Sequence, residues 1–427
     1  IQPATTSIRW CTRRCIPLCR PTRQRRRNKR HPQAQRCRWR RPPCRGSGKR
    51  LEGYGRSVTT TLRLVLDQIV APNDSVLESA SLELARALVL TTPKGCEVEA
   101  IVPATGADAP DLSALVPGLA RVARAPLARR ELAAAWQLGV GPLSGGMVHS
   151  PTLMAPLVRH DRVHSSEQTV VTVNELDVFT VPDELARGRV TWTKGMLRRA
   201  QRHADAIVVP THAMAAELAE RTQLGDRIRV IPGAPRTGFA APNDAGERAR
   251  ALELPERFVA MAGSARGSAG VADALSALAA DPELSLVVLD VPGADVEALT
   301  ELAETASVAS RMQLFGALGA AERATIWSTA AAVLVAETGF AFPTRMVEAF
   351  TVGTPVIARN TSTYREVAAD AAHFVDGTGQ DAWAAAIAAV LGDSATATRL
   401  GVLGRDRSRA FAWRDAADRV WALHAEI

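Results

Sequence analysis

The chain has 427 residues, 47% of them hydrophobic, which suffices for two domains with sizeable cores. Its formal charge of +8 is unevenly distributed. Residues 1–57 hold 18 Lys and Arg and one acid, Glu52, or about +17; the rest has 34 basic and 43 acidic residues, about −9. The high pI therefore describes the N-terminal segment alone. No apolar window long enough to span a membrane occurs, and the basic segment lacks the apolar core of a secretory signal.

Cysteine usage follows the same division. Five of the six cysteines lie in the basic segment, at Cys11, Cys15, Cys19, Cys37 and Cys44. Their spacings lack the paired C-x-x-C units of a zinc site, so we predict no metal site. The only other cysteine is Cys96, which fits a reducing cytoplasm. We therefore predict a cytoplasmic protein, peripheral at the inner face of the membrane.

Residues 1–57 cannot bury an apolar face, so we expect this segment to be disordered. One interpretation is an arm that binds nucleic acid by neutralising phosphates with Arg. The other is an extension that is not part of the fold, since its Arg, Pro, Cys and Trp content is typical of out-of-frame translation of GC-rich DNA. We favour the second interpretation, with the fold beginning at Val58 and nucleic acid not expected as a partner.

The first half of the body alternates apolar strands with amphipathic helices. Predicted strands cover residues 62–70, 96–102, 146–149, 169–173, 206–210 and 227–231. Predicted helices cover residues 76–90, 125–138, 192–204 and 211–221. This alternation indicates a parallel sheet with helices on both faces, and we assign it to a domain at 58–232.

A stretch rich in Pro, Gly, Ala and charge predicts a linker at 233–256. A second domain is predicted at 257–412. Its strands cover residues 258–263, 284–291, 313–315, 332–336 and 356–358. Its helices cover residues 271–280, 295–306, 320–330, 345–352 and 362–369, with further helices over most of 380–424. The last helix, within 413–427, is predicted to pack on the first domain. Ligands are then expected in the cleft between the domains, at the carboxyl ends of the strands.

The most specific motif is the sequence E-A-F-T-V-G-T-P-V-I-A at 348–358. It resembles the nucleotide-sugar site of retaining family 4 glycosyltransferases, whose GT-B fold consists of two Rossmann-like α/β domains facing across a cleft. Three more segments resemble this family, D-A-I-V-V-P-T at 205–211, R-V-I-P-G at 229–233 and E-V-A-A-D-A at 366–371. The resemblance covers residues 58–427 and is to an actinobacterial type.

The resemblance implies roles for residues on the donor side. Glu348 would hold the nucleotide ribose, and Gly263, Ser264, Gly353 and Thr354 would shape the nucleotide pocket. Since the leaving diphosphate gains negative charge, protein cations must stabilise it, with no cofactor and no obligatory metal. Arg266 and Arg345 are the candidate cations.

Several positions depart from the family pattern. Ser268 and Ala269 occupy the positions of an Arg-Lys pair that contacts the diphosphate in the family. Phe340 stands where the family has a Glu that contacts the donor sugar, and Pro343 removes a backbone amide donor. Glu337 recovers the role of that Glu only if the intervening loop is shifted.

The first domain also departs from the family pattern. Asn174 and Glu175 stand where the family has His-Asp, and Asn cannot titrate near neutrality. The loop at 73–79 has no glycine, which hinders close approach of a substrate to its backbone. Asn174 and Glu175 would face the acceptor. His149 would either face the acceptor with them or be a structural residue.

These residues support two hypotheses. In the first, the protein transfers a sugar, with mannose and glucose as candidates, from a nucleotide-diphosphate donor to a glycan or lipid-linked precursor with retention. In the second, it is a catalytically weak or inactive paralogue that binds a partner glycosyltransferase, a glycan or a nucleotide. The replaced motif positions leave the enzymatic activity open. Nucleic-acid binding through residues 1–57 is a remote third hypothesis.

Overall fold

The computed structural model describes residues 59–106, 109–162, 164–278, 281–377 and 379–427. The interpretations of residues 1–57 lie outside these ranges. Residues 60–427 form two parallel sheets within one compact unit.

The N-terminal lobe is built on a seven-stranded sheet with the order β3-β2-β1-β4-β5-β6-β7, in which every pair is parallel. Its strands are β1 (Thr60–Val65), β2 (Cys96–Ala104), β3 (Arg121–Ala128), β4 (Met147–Ser150), β5 (Gln168–Thr172), β6 (Ala206–Val209) and β7 (Ile228–Val230). Its helices are α1 (Asp67–Val70), α2 (Ser75–Leu90), α3 (Leu112–Leu115), α4 (Arg129–Leu138), α5 (Asp177–Thr180), α6 (Arg187–His203) and α7 (His212–Arg221). Leu62 lies opposite Val98 in register, and both are buried in the core.

The C-terminal lobe is built on a six-stranded parallel sheet with the order β10-β9-β8-β11-β12-β13. Its strands are β8 (Phe258–Ala262), β9 (Ser285–Leu289), β10 (Met312–Leu314), β11 (Ala332–Val335), β12 (Val356–Arg359) and β13 (Ala372–Val375). The helices from this half of the chain are α8 (Ala245–Ala251), α9 (Val271–Leu278), α10 (Val296–Thr305), α11 (Ala320–Thr329), α12 (Thr344–Val352), α13 (Ser362–Ala368), α14 (Gln380–Leu391), α15 (Ser394–Ser408) and α16 (Trp413–Glu426).

The predicted α/β class with two Rossmann-like sheets is confirmed. The helix predicted at 125–138 is wrong in its first turn, because residues up to Ala128 form strand β3 and helix α4 begins at Arg129. The segment is rich in helix-forming Ala, but its burial alternates, with Ala123 and Ala125 facing the core. Pro126 is tolerated because β3 is an edge strand.

Two further differences occur at strand ends. The first strand, predicted to reach Val70, ends at Val65, and residues 67–70 form the helical turn α1. The turn buries Asp67, whose carboxylate pairs with Arg129 at 2.9 Å. In the C-terminal lobe the edge strand β13 was not predicted.

Helix α16 returns from the C-terminal half of the chain to the N-terminal lobe. Its buried residues Ala417, Val420 and Trp421 belong to the same core cluster as Leu62 and Leu88. The Trp421 indole N–H also donates to the Leu88 carbonyl at 3.2 Å. The helix therefore fastens the end of the chain to the first sheet through apolar burial and a buried hydrogen bond.

Among the described residues, no single helix has the length and apolar character needed to cross a membrane. One pair of helical segments, Asp381–Leu391 with Ser394–Glu426, reaches the length and composition of a broken span, and its two arms meet at 91°. In this fold both arms contribute core residues, including Trp383 and Trp421.

A carboxylate from the C-terminal lobe caps a helix of the N-terminal lobe. Glu366, on α13, accepts hydrogen bonds from the backbone N–H groups of His212 (2.7 Å) and Ala213 (2.8 Å). These groups begin α7 and have no partner within their own helix. An acidic side chain there also interacts favourably with the helix dipole. Glu366 therefore links the two lobes through hydrogen bonds.

We expect Glu366→Ala to lower the free energy of unfolding by about 1–2 kcal/mol, the usual cost of losing a helix cap. Urea unfolding of the full chain measures this change. Glu220→Ala, at an exposed position on α7, is the matched control. Equal stability of the two variants would contradict the capping role.

Candidate active site between the two lobes

The loops after β9 and β10 and the start of α2 border a cavity of about 480 Å³. Its lining includes Ser75, Asp290, Val291, Pro292, Phe315 and Gly316. Ser75 is the first residue of α2 in the N-terminal lobe, and the others follow β9 and β10 in the C-terminal lobe. The cavity therefore lies between the lobes, where parallel α/β sheets place their ligands.

Glu348 lies on α12 and is only 3% exposed. One carboxylate oxygen accepts a hydrogen bond from the Trp327 indole N–H at 3.0 Å. The other accepts one from the Arg345 guanidinium at 2.8 Å, one helical turn away on α12. A carboxylate buried this deeply needs such partners to remain charged, so these two contacts fix the orientation of Glu348.

Asp290 extends this contact into a network of four charges. Arg345 pairs with Asp290 at 2.6 Å, and Arg323 pairs with the other Asp290 oxygen at 2.8 Å. The second terminal nitrogen of Arg323 lies 3.8 Å from Glu348. Burial alone lowers the pKa of Arg345, but Glu348 and Asp290 outweigh it and raise that pKa above its ordinary value. The network of Asp290, Arg323, Arg345 and Glu348 has no net charge.

Gly353 and Thr354 lie at the other end of α12. The helix runs from the carboxyl edge of the sheet back to the start of β12, a distance of about 13 Å for nine residues. The Thr354 hydroxyl donates to the Trp327 carbonyl at 2.6 Å, and a Cβ on Gly353 would clash with the Arg405 guanidinium. The sequence predicts that both line the nucleotide pocket. The parallel topology instead places them at the edge away from the cleft, where they pack the helix end.

Gly263 and Ser264 follow β8 at the carboxyl edge of the sheet. A Cβ on Gly263 would lie 2.5 Å from a Val271 methyl group, so close packing against α9 requires glycine there. Ser264 is buried, and its hydroxyl accepts a hydrogen bond from Arg266 at 3.3 Å. The Arg266 side chain is 43% exposed and lies 3.8 Å from Asp177 of the N-terminal lobe. Of the two predicted cations, Arg266 is thus the more accessible.

Asn174 and Glu175 follow β5 and already have protein partners. The Asn174 amide donates to the Pro151 carbonyl at 2.8 Å, and Glu175 pairs with Arg189 at 2.5 Å. Glu175 also forms an isolated antiparallel bridge with Ala341 of the C-terminal lobe. Both residues therefore lie where the two lobes meet.

The acids Asp177 and Glu337 have unusual pKa values. Burial raises the pKa of Asp177 to about 6, with Glu175 adding to the effect and Arg266 opposing it. The Glu337 side chain keeps solvent contact, but the surrounding protein atoms, and then the charge of Asp177, raise the pKa of its carboxyl. Arg345 and Arg266 act in the opposite direction. Glu337 therefore belongs electrostatically to the cleft.

His149 lies in the core, with 1% of its surface exposed. Its Nδ1 lies 3.3 Å from Nε2 of His424 on α16, and Nδ1 of His424 lies 3.0 Å from the Gln168 amide oxygen. Because that oxygen can only accept, His424 donates to Gln168. Burial disfavours the charged form of both imidazoles, and between two neutral rings His149 donates to His424. Burial lowers the pKa of His149 to about 3 and places that of His424 well below its ordinary value. This arrangement favours the structural interpretation of His149 over a contact with an acceptor.

Sequence reasoning missed Asp290, Arg323 and Trp327. Asp290 was included in the strand predicted at 284–291, although β9 ends one residue before it. Arg323 and Trp327 are four residues apart on α11, so they lie on one face of that helix. The sequence does show a charged residue and an aromatic residue on one face of a predicted helix. Their partners, Asp290 and Glu348, are distant in sequence, so this pattern alone does not identify the network.

The buried histidine pair predicts a pH dependence of stability. Free imidazole titrates near 6.5, so below this value the unfolded chain binds protons that the folded His149 and His424 refuse. Stability is therefore lost as the pH falls from 6.5 towards 3. We expect His424→Gln to reduce this loss by up to about 1.4 kcal/mol per pH unit.

Urea unfolding of the full chain between pH 5 and 7.5 measures this slope. His212→Gln, at an exposed position, serves as the control. Identical slopes for wild type and His424→Gln would show that the pair is protonated in the fold.

No group of three or more potential metal ligands occurs among the described residues.

Comparison with known proteins gives two adjacent family matches. The family described as Glycosyltransferase Family 4 matches residues 77–234, and the family described as Glycosyl transferases group 1 matches residues 245–407. The D-inositol 3-phosphate glycosyltransferase of Corynebacterium glutamicum (strain R) is 28% identical over 239 residues, 52% of this chain and 57% of that protein. The match thus spans a little over half the length of this curated relative.

Two solved structures share the fold. Sucrose-phosphate synthase from Thermosynechococcus elongatus has a TM-score of 0.64 at 20% identity, covering 86% of this chain and 99% of that one. HepE from Anabaena, in complex with UDP-glucose, has a TM-score of 0.64 at 14% identity, covering 86% and 100%. One family matches most of the N-terminal lobe and the other most of the C-terminal lobe. The chain belongs to the group 1 and family 4 glycosyltransferases of the GT-B fold.

Proposed function

We propose that this protein transfers a sugar from a nucleotide-diphosphate donor to a glycan or lipid-linked acceptor with retention. The observation that carries the proposal is the connection of the buried Glu348, through Arg345, to a residue that lines the interlobe cavity. Arg345 connects Glu348 to Asp290, which lines that cavity. HepE, which shares the fold, is described in complex with UDP-glucose, a donor of this chemical class.

Glu348 keeps acceptor capacity for a ribose. Each carboxylate oxygen has two lone pairs, and Trp327 and Arg345 each use one. A ribose hydroxyl can donate to a remaining lone pair. The aromatic and apolar wall of the cavity, with Phe315 and Val291, suits a nucleobase.

The diphosphate requires cations, and the two candidates differ. Arg345 is committed to Glu348 and Asp290. Arg266 is more exposed and lies on the loop after β8, so we assign it the leaving-group charge. Ser268 and Ala269 supply none of the charge of the Arg-Lys pair. Losing two charge-assisted contacts of about 1.5–3 kcal/mol each corresponds to about 10²–10⁴ in rate, so we expect slow transfer.

On the acceptor side, we propose that Asn174 and Glu175 lie beside the acceptor. The alternative function is a weak or inactive paralogue that binds a nucleotide, a glycan or a partner glycosyltransferase. It is favoured by the complete use of Arg345 within the buried network. Transfer or hydrolysis of nucleotide sugars by the full chain distinguishes the two functions, because the alternative binds a nucleotide without turnover.

We expect Glu348→Gln to weaken binding of nucleoside diphosphates by about 10- to 100-fold, because a charged hydrogen-bond acceptor becomes neutral. Calorimetry with UDP, GDP and ADP on the full chain measures the dissociation constants. Glu301→Gln, at an exposed position on α10, is the matched control. Unchanged affinity of Glu348→Gln for a nucleotide that binds the wild type would refute the ribose contact.

We also propose that the protein is cytoplasmic and that the N-terminal lobe docks on an anionic membrane surface. Helix α6 carries six Lys and Arg and no acid, with Arg198 and Arg202 exposed. A Cβ on Gly139 would meet the Arg199 guanidinium, so the end of α4 lies against α6. Leu138 (77% exposed) and Val140 (59% exposed) flank this glycine. Basic side chains around exposed apolar residues suit a layer of anionic lipids.

We expect Arg198→Glu with Arg202→Glu to reduce co-sedimentation with phosphatidylglycerol vesicles by about tenfold or more, at roughly 1 kcal/mol for each basic residue lost. Arg414→Glu with Arg419→Glu, at exposed positions on α16, makes the same charge change elsewhere. All variants keep residues 1–57, so their shared basic charge cancels in the comparison. Equal loss in both double variants would assign the binding to overall charge.

A further inference from the structure

Glu184 of the N-terminal lobe binds the C-terminal lobe at the start of α9. It lies in the 3₁₀ turn Pro182–Glu184. One carboxylate oxygen accepts a hydrogen bond from the Ser268 backbone N–H at 3.1 Å, and the other accepts one from the Ser268 hydroxyl at 2.5 Å. Ser268 itself lies in the turn Gly267–Ala269, immediately before α9. An internal carboxylate thus occupies two hydrogen-bond donors beside a helix N-terminus.

Asp177 makes a second contact between the lobes, a longer ion pair. Its carboxylate lies 3.8 Å from Arg266, which precedes Ser268 by two residues. The Asp177 side chain is 15% exposed, and its Oδ1 is buried with no hydrogen-bond partner among the described residues. Half of this carboxylate is therefore left unsatisfied by the closed arrangement.

Backbone contacts hold these acids in place. The Leu176 N–H donates to the Phe340 carbonyl at 3.1 Å, and Glu175 bridges to Ala341. A Cβ on Gly339 would lie 2.8 Å from Asp177, so the loop after β11 lies directly against this acid. The segment 174–184 is thus fitted onto the C-terminal lobe across the cleft.

The groups of Ser268 and Arg266 that face these carboxylates are all hydrogen-bond donors. A backbone N–H, a hydroxyl and a guanidinium are the donors that bind phosphate oxygens in proteins. A diphosphate and the two carboxylates cannot share them, since like charges at hydrogen-bond distance repel.

We propose that Glu184 and Asp177 are internal substitutes for an anionic ligand, occupying Ser268 and Arg266 while the cleft is empty, so that a diphosphate binds only by displacing them. The inference rests on the proposed function for the identity of the ligand. It adds that the affinity for the donor is set partly by the N-terminal lobe, through residues that the ligand displaces.

The expected change in diphosphate affinity depends on how exposed these contacts are to solvent. Glu184 is solvent-exposed, so water and salt screen its interaction with Ser268. Replacing the carboxylate by a neutral amide weakens the competing hydrogen bonds without removing the side chain. We expect Glu184→Gln to tighten binding of a diphosphate about 3- to 10-fold.

The test is calorimetry on the full chain with UDP, GDP, ADP and inorganic pyrophosphate. Wild type is compared with Glu184→Gln and Asp177→Asn, both nearly isosteric. Asp183→Asn removes one negative charge from the same turn and is the matched control, since Asp183 is exposed. We expect tighter binding in the first two variants and a change below about twofold in the control.

Pyrophosphate separates this inference from the proposed function, because it carries the anion without the nucleoside. If only pyrophosphate binds, and Glu184→Gln or Asp177→Asn tightens it beyond Asp183→Asn, the displacement stands and the nucleotide-sugar function fails. If nucleoside diphosphates bind and neither variant differs from Asp183→Asn, the displacement is refuted and the function stands. Absence of binding of all four anions to every protein overturns both.

Discussion

Parallel pairing of every strand is the constraint on which the site depends. In both sheets the carboxyl ends of the strands lie at one edge, so the loops after β1, β5, β8, β9 and β11 meet in one cleft. The same constraint removes residues from the site. A helix that starts at the cleft must end at the opposite edge, and for this reason Gly353 and Thr354 lie away from the cleft although they belong to the same motif as Glu348.

The buried network of Asp290, Arg323, Arg345 and Glu348 connects α11, α12 and the end of β9 in the C-terminal lobe. Removing charges from water is costly, and the network is tolerated because its two cations and two anions balance and share hydrogen bonds. It keeps Glu348 oriented without a ligand. The same contacts commit Arg345, so in the proposed function less positive charge remains for a diphosphate.

Across the cleft, the N-terminal lobe presents acids to the C-terminal lobe. Glu175, Asp177 and Glu184 lie on one short segment, and the groups they face are Ala341, Arg266 and Ser268. These interlobe contacts are polar, and that of Glu184 is solvent-exposed, unlike the apolar contact of α16 with the first sheet. In the proposed displacement, ligand groups replace the polar contacts in the cleft, whereas the apolar contact of α16 is unchanged.

The sequence by itself determined the two parallel α/β lobes and the position of Glu348 on a helix, because hydrophobic periodicity and the motif at 348–358 are local properties. It also located Arg266, Gly263 and Asn174 at strand ends. Only the tertiary structure decided the partners of these residues. Asp290 and Arg323 are 58 and 25 residues from Glu348, and His149 meets His424 across 275 residues. Burial and pairing of charges arise from packing between distant segments, and no local pattern in the chain records which segments will meet.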